Sequence, residues 1–92
     1  MTIQEIRQRI EAGQLDDAER SASRLIDDRP DSDTLAAAYY LRGLTAQRRG
    51  DTRQALNDFL AAIELNPDGP ATQAYRMTQD ILNFYDHDLY NP

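Results

Sequence analysis

The 92-residue chain contains no cysteine, no tryptophan, no lysine and no valine. Without cysteine it can form neither a disulfide nor a thiolate metal site, so packing has to stabilise its core. Because valine is absent while alanine, leucine and arginine are plentiful, the composition favours helices over a sheet. A chain of this length buries only a thin core. We therefore expect one domain that is stabilised by helix packing, by a partner or by self-association.

Positive charge is also scarce, since 10 basic residues, all of them arginine, stand against 16 acids and leave a net charge of −6. An acidic chain repels the phosphate backbone, so we expect no nucleic-acid binding. We expect no membrane association either, because the chain has no basic amphipathic stretch and no apolar run near the ~20 residues that span a bilayer. The polar start lacks the pattern of a signal peptide, and we predict a cytoplasmic protein.

An internal repeat spaces matching residues 37 positions apart. Its first members are Gly13, Ala18, Ile26 and Pro30, and its second members are Gly50, Ala55, Ile63 and Pro67. Glycine suits a turn and proline stops the helix before it. A period of roughly 20–50 residues is typical of solenoid proteins made of repeated helix pairs.

Capping patterns and apolar periodicity predict five helices. Thr2 with Glu5 forms a capping box at the first helix, and Asp51 with Gln54 resembles another. The first, second and fifth predicted helices start at Ile3, Leu15 and Pro70. Ser32 or Asp33 can cap the third helix, and Asp51 the fourth. The five helices are predicted to end near Gly13, Asp28, Arg49, Asn66 and Tyr85. The tail, residues 86–92, has no helical periodicity.

The stretch from Ala36 to Pro67 resembles a tetratricopeptide repeat over its whole length. The family's small and aromatic positions are matched in order by Tyr39, Gly43, Ala46, Ala55, Phe59 and Ala62, and its closing proline by Pro67. The resemblance implies that the small residues let two antiparallel helices approach closely while Phe59 fills the space between repeats. Arg42 departs from the pattern, because the family usually has an aliphatic residue there.

The resemblance divides the single domain, residues 1–92, into four parts. Residues 1–30 resemble a degenerate first repeat, residues 33–67 a complete repeat, residues 70–85 a capping helix and residues 86–92 a tail. The whole chain is also similar to small, single-domain bacterial tetratricopeptide proteins. The implied fold is all-α, a right-handed α-α superhelix of two helical hairpins plus a C-terminal capping helix.

In this family the first helices of the repeats line a concave face that binds an extended peptide or a partner helix. The resemblance therefore implies a partner-binding groove formed by Ala37, Tyr40, Leu41, Leu44, Gln47 and Arg48, with Gln4, Glu5, Gln8 and Glu11 in the first unit. Tyr40 and Leu44 could anchor a partner, or both could pack against the fifth helix. They cannot hold a C-terminal carboxylate by charge-assisted bonds, as Lys and Asn do at these positions in some members.

The fifth helix carries two apolar stripes. The first comprises Ala71, Ala74, Tyr75, Thr78, Leu82 and Tyr85, and we expect it to cover the last repeat. The second comprises Met77, Ile81 and Phe84. We predict that this second stripe is a patch for a homodimer or another partner, although it could also be the edge of a wide buried face. The tail could dock through Leu89 and Tyr90 or fray.

Nothing in the sequence predicts catalysis. Asp86, His87 and Asp88 form the one cluster that resembles a metal site, but adjacent residues cannot easily converge on an ion. The chain has no glycine-rich phosphate loop and no nucleophile beside a base, so we expect no catalytic, cofactor or metal site and no enzyme. The predicted function is a protein–protein interaction module, an adaptor or assembly factor. The alternative is a self-associating structural protein that dimerises through its C-terminal helix.

Overall fold

The computed structural model describes the backbone of residues 2–90 and the side chains of residues 2–82. Within those bounds the chain forms five α-helices and no strand. They are α1 (Ile3–Glu11), α2 (Leu15–Asp27), α3 (Ser32–Arg48), α4 (Thr52–Leu65) and α5 (Ala71–Tyr90). The predicted all-α fold of two hairpins, α1–α2 and α3–α4, followed by a final helix is confirmed.

Side-chain caps mark the starts of α1, α3 and α4. The Thr2 hydroxyl accepts the Glu5 amide at 3.2 Å, and the Glu5 carboxylate accepts the Thr2 amide at 3.3 Å, which confirms the first capping box. The Thr2 amide and hydroxyl, which both donate to the Glu5 carboxylate, lower the pKa of Glu5. The cap of α3 is Asp31, which accepts the Thr34 amide at 3.2 Å, and not Ser32 or Asp33 as predicted. Asp31 has the extended ψ of 161° that an N-cap needs, whereas the next two residues are already helical.

Glycines follow the ends of α1 and α3, whereas α5 is longer than predicted because no helix-breaking residue directly follows its predicted end. Gly13 and Gly50 have φ values of 79° and 83°, a left-handed conformation that follows the ends of α1 and α3 at little steric cost. Helix α5 continues past its predicted end at Tyr85 as far as Tyr90. Neither glycine nor proline occurs between Tyr85 and Tyr90, so no residue there stops the helix. The last two residues of the predicted tail lie outside the described part of the chain.

The core has two clusters, and α3 contributes to both. The first cluster joins α1, α2 and α3 through Ile6, Ile10, Ala18, Ala22 and Leu41. The second joins α3, α4 and α5 through Ala46, Ala55, Phe59, Ala62 and Ala71. Tyr40 and Leu44, both half-buried, pack against the two clusters at once. The hairpins therefore form one continuous packing unit and not two separate domains.

The second cluster depends on the small residues that the repeat pattern singled out. A Cβ atom at Gly43 would lie 2.5 Å from Cε1 of Phe59, so any side chain there would overlap the ring. Phe59 is fully buried, and its ring centroid lies 5.9 Å from that of Tyr40. Ala55 and Ala62 are buried on the same side of α4. The close approach of α3 and α4 around Phe59 agrees with the packing that the resemblance implied.

Arg42 is part of a polar network in place of the aliphatic residue that the family usually has. Its Nε and Nη2 atoms each donate to a carboxylate oxygen of Asp58 at 2.9 Å, and its Nη1 donates to Ser23 at 3.2 Å. Asp58 is 3% exposed and also accepts from Gln54 at 3.1 Å. The hydrogen bonds to Asp58 raise the pKa of Arg42. The guanidinium, which also lies over the ring of Tyr39, thus ties α3 to α2 and α4.

Candidate partner-binding groove

A cavity of about 160 Å³ lies between the first half of α3, the end of α4 and the start of α5. We call it the Tyr40 cavity. Its apolar walls are formed by Ala36, Ala37, Tyr40, Ala62, Pro70 and Ala71. Arg7 of α1 and Asp33 of α3 also line it and bring one charge of each sign. The cavity can therefore enclose a small apolar group while two charged side chains remain near it.

A second depression, which we call the α3–α5 trough, runs between those two helices. Its lining residues are Tyr40, Leu44, Gln47, Pro70, Gln73, Ala74 and Met77, none of which is charged. Tyr40 and Pro70 line both depressions, so the Tyr40 cavity and the α3–α5 trough adjoin each other. We refer to the two together as the groove.

Four of the six predicted groove residues of the complete repeat line this groove. Ala37 lies in the Tyr40 cavity, Leu44 and Gln47 lie in the α3–α5 trough, and Tyr40 belongs to both. The Gln47 amide nitrogen also donates to the Thr78 hydroxyl at 2.8 Å, which fixes α5 against α3. Tyr40 and Leu44 each pack against both core clusters, and each also lines the groove.

The prediction was wrong for Leu41, which is 0% exposed and belongs to the first core cluster. Successive helical residues are rotated by about 100°, so Leu41 faces α1 and α2 when Tyr40 faces the groove. Arg48 lines neither depression, and its Nη1 atom lies 3.4 Å from the carbonyl oxygen of Ile10. Arg48 therefore interacts with the last turn of α1.

Arg7, which lies in the first repeat, residues 1–30, lines the Tyr40 cavity although it was not among the predicted groove residues. Glu5 and Gln8 line a different depression beside Arg9, and neither Gln4 nor Glu11 lines the groove. Arg7 is exposed and directly follows the buried Ile6 on α1. Its position in the groove depends on how α1 packs against α3, which no local pattern in the sequence shows.

The second stripe of α5 is exposed where its side chains are described. Met77 is 57% exposed and Ile81 is 53% exposed, whereas the side chain of Phe84 lies outside the described residues. Met77 also lines the α3–α5 trough, so the predicted groove and the predicted association stripe meet at this residue. In the first stripe Ala71 and Thr78 are buried and Ala74, Tyr75 and Leu82 are half-buried, whereas the side chain of Tyr85 lies outside the described residues.

Among the described residues, no group of three or more His, Cys, Asp or Glu side chains could hold a metal ion. The side chains of Asp86, His87 and Asp88 lie outside that range. No helix in the described region is long and apolar enough to cross a membrane.

Comparison with known proteins agrees with this architecture. Residues 36–68 match the family model for the tetratricopeptide repeat. The solution NMR structure of Bacteroides fragilis protein BF1650 is 40% identical in sequence and has a TM-score of 0.84, with 97% of this chain and 88% of that chain covered. No curated protein matches the chain at a significant level. With the repeat matched in sequence and the similarity extending over almost the whole chain, the protein belongs to the tetratricopeptide repeat family.

Proposed function

We propose that the protein is an interaction module, an adaptor or assembly factor, that binds a protein or peptide segment in the groove. The tetratricopeptide repeat supports a role in protein–protein interaction in general. The observation that carries the specific proposal is that the uncharged α3–α5 trough adjoins the Tyr40 cavity. We also propose that the protein acts in the cytoplasm.

The exposed apolar surface of the groove favours a partner over water. Met77 is more than half exposed and lies beside the half-buried Tyr40 and Leu44. Covering apolar surface of this kind yields roughly 25 cal/mol per Å² that is removed from water. Tyrosine and methionine are enriched in interface cores, and buried tyrosines are frequent hot spots.

Rigidity of the groove walls also supports the proposal. Tyr40 packs against both core clusters and against the ring of Phe59, so its position is set before a partner arrives. The hydrogen bond between Gln47 and Thr78 holds the opposite wall, α5, in place. A preformed surface loses less conformational entropy on binding than a mobile one. The exposed amide of Gln73 remains available to donate to, and accept from, a peptide backbone.

Replacing Met77 by glutamate should reduce the recovery of specific partners at least ~10-fold, because a charge in the α3–α5 trough must be desolvated when a partner binds. The measurement is affinity purification from the native host, with quantitative mass spectrometry of the bound proteins. Tyr40→Ala is a poor test, since Tyr40 also supports both core clusters.

The matched control is Leu60→Glu. Leu60 is 41% exposed on α4 and lines neither part of the groove, so the same charge placed there should leave partner recovery unchanged. Equal recovery with wild type and Met77→Glu would remove the groove from consideration.

Self-association through α5 is the second candidate. Met77 and Ile81 are exposed one helical turn apart. In addition, α5 has 20 residues and packs mainly against α4, which has only 14. A second copy could cover the exposed stripe of α5 in an isologous contact.

On this second candidate, wild-type protein should sediment as a concentration-dependent dimer, and Ile81→Glu should shift it to monomer at the same concentration. Burying an unpaired carboxylate in a dimer interface is costly, which is the reason for the expected shift. Leu60→Glu again serves as the control and should leave the dimer intact. A wild-type protein that is strictly monomeric at high concentration would exclude this candidate.

A further inference from the structure

We propose that the Tyr40 cavity binds one phenylalanine- or leucine-sized side chain of the partner, and that the partner residues which continue from it along the α3–α5 trough are uncharged. This inference rests on the proposed function, because it names the chemistry of the segment that would occupy the groove. The proposed partner is thus a peptide that one apolar side chain anchors in the Tyr40 cavity.

The volume of the cavity sets the size of the anchor. The Tyr40 cavity measures about 160 Å³. An apolar protein cavity of about 150 Å³ accommodates benzene. A phenyl ring or a branched four-carbon side chain therefore fills the space, whereas an alanine methyl leaves most of it empty. An unfilled apolar space forfeits dispersion contacts on its lining atoms, so the match in volume is energetically selective.

The walls of the cavity favour an apolar and preferably aromatic anchor. Ala36, Ala37, Ala62 and Ala71 present no atoms beyond Cβ, and the cavity exists because larger side chains are missing at these positions. The ring of Tyr40, which Phe59 supports from the core side, forms a further apolar wall. The other lining residues are Arg7, Asp33, Asn66, Gly69 and Pro70. Aromatic pairs gain about 0.5–1.5 kcal/mol beyond simple burial when their rings meet edge-to-face or offset.

Charge determines what can flank the anchor. No lining residue of the α3–α5 trough is charged, so a partner lysine or glutamate that is buried there would find no ionic partner. Arg7 and Asp33 lie beside the cavity with opposite signs, so this end of the groove does not select a partner of one charge. The uncharged lining therefore restricts the charge of the peptide residues that lie in the α3–α5 trough. It leaves the residues on the other side of the anchor unrestricted in charge.

The test is a selection of random short peptides displayed on phage, with the full-length folded chain as bait. The expected result is a consensus of one Phe or Leu that adjoins uncharged residues. For a selected synthetic peptide, replacing that Phe by Ala should weaken binding about 10- to 100-fold, the loss that corresponds to burying one large apolar side chain. Replacing it by Leu should preserve most of the affinity. NMR titration should place the shifted amides around Ala37 and Ala71.

A substitution in the protein that fills the Tyr40 cavity provides a second, independent test. Ala37→Leu should weaken the same peptide by a similar factor, and Leu60→Glu should leave its affinity unchanged. The peptide series on wild-type protein decides the question even where Ala37→Leu fails to fold. Peptides that shift amides of the α3–α5 trough but have no apolar anchor, and are insensitive to Ala37→Leu, would overturn this inference and leave the proposed function standing.

Two further outcomes would overturn the inference. If no peptide binds, or if selected peptides bind outside the groove and are insensitive to Met77→Glu, the proposed function falls as well. If the amides around the cavity shift with protein concentration in the absence of peptide, a second copy occupies the Tyr40 cavity in place of a partner peptide.

Discussion

Replacing Phe59 by alanine should lower the free energy of unfolding by about 3–5 kcal/mol, the range for removing a large buried aromatic side chain. Phe59 is 0% exposed and is the largest fully buried side chain in the described part of the chain. Its ring fills the space that Gly43 leaves open on α3 and meets the ring of Tyr40. Alanine would leave a cavity between α3 and α4, because a helix pair that is fixed at both ends cannot collapse fully onto it.

Urea denaturation followed by circular dichroism measures this loss. Leu60→Ala is the matched control, since Leu60 is adjacent on the same helix but 41% exposed, and its change should stay within about 0.5–1 kcal/mol. A domain this small has little stability to lose, so Phe59→Leu supplies a milder step if the alanine variant is unfolded. A loss below about 1 kcal/mol for Phe59→Ala would contradict the packing described here.

Replacing Asp58 by alanine should cost about 3 kcal/mol, the lower end of the range for removing one partner of a buried ion pair. Asp58 is almost fully buried, and its carboxylate accepts from Arg42 and Gln54. Without it the Arg42 guanidinium keeps only Ser23 and the ring of Tyr39 as neighbours. The cost falls at the lower end because the Arg42 side chain is still 24% exposed to water.

A double-mutant cycle separates the pair from the cost of an unpaired charge. The cycle comprises wild type, Arg42→Leu, Asp58→Leu and the variant that carries both changes. The double variant should recover most of the stability lost in Asp58→Leu, since well-packed apolar replacements of buried ion pairs are often neutral or stabilising. Thermal and urea unfolding of the four proteins give the coupling energy. If the double variant is as unstable as Asp58→Leu, the ion pair itself, and not the unpaired charge, supplies the stability.

The spacing of nearby residues predicted those features of the fold that depend on local sequence, namely the buried faces of the helices and the first helix cap. Gly43 and Phe59 meet because a helical period places each on the face that its repeat requires, and that period is visible in the sequence. The Thr2–Glu5 capping box is equally local. The exact cap of α3 was missed because Asp31, Ser32 and Asp33 are all competent caps, and only the backbone after Pro30 selects among them.

The groove was predicted on one wall only. Ala37, Tyr40, Leu44 and Gln47 lie on the face of the first repeat helix that the resemblance to the family assigned to the groove. The opposite wall comes from the start of α5 and the turn before it, and no period in the sequence shows which α5 residue faces Tyr40. Leu41 was assigned to the groove for a similar reason. Leu41 and Tyr40 are neighbours in the sequence, yet they face different sides of α3, and the sequence does not show which of the two faces the core.

Contacts over long sequence distances could not be predicted. The pairing of Arg42 with Asp58 joins two helices, and from the sequence alone Arg42 was only a departure from the aliphatic pattern. Asp58 gave no signal of its own, because an acid within a helix is usually a solvated surface residue. The reach of Arg7 into the Tyr40 cavity likewise depends on how α1 crosses α3.

The double role of α3 constrains how this protein can evolve new specificity. Tyr40 and Leu44 pack against both core clusters and also line the groove. A substitution at either position that changes partner choice under the proposed function therefore also lowers the stability of the fold. Arg7, Gln73 and Met77 line the groove from flanking helices and are exposed, so they are free of that burden. Divergence of partner choice among related chains should therefore concentrate on α1 and α5, while the central helix stays nearly invariant.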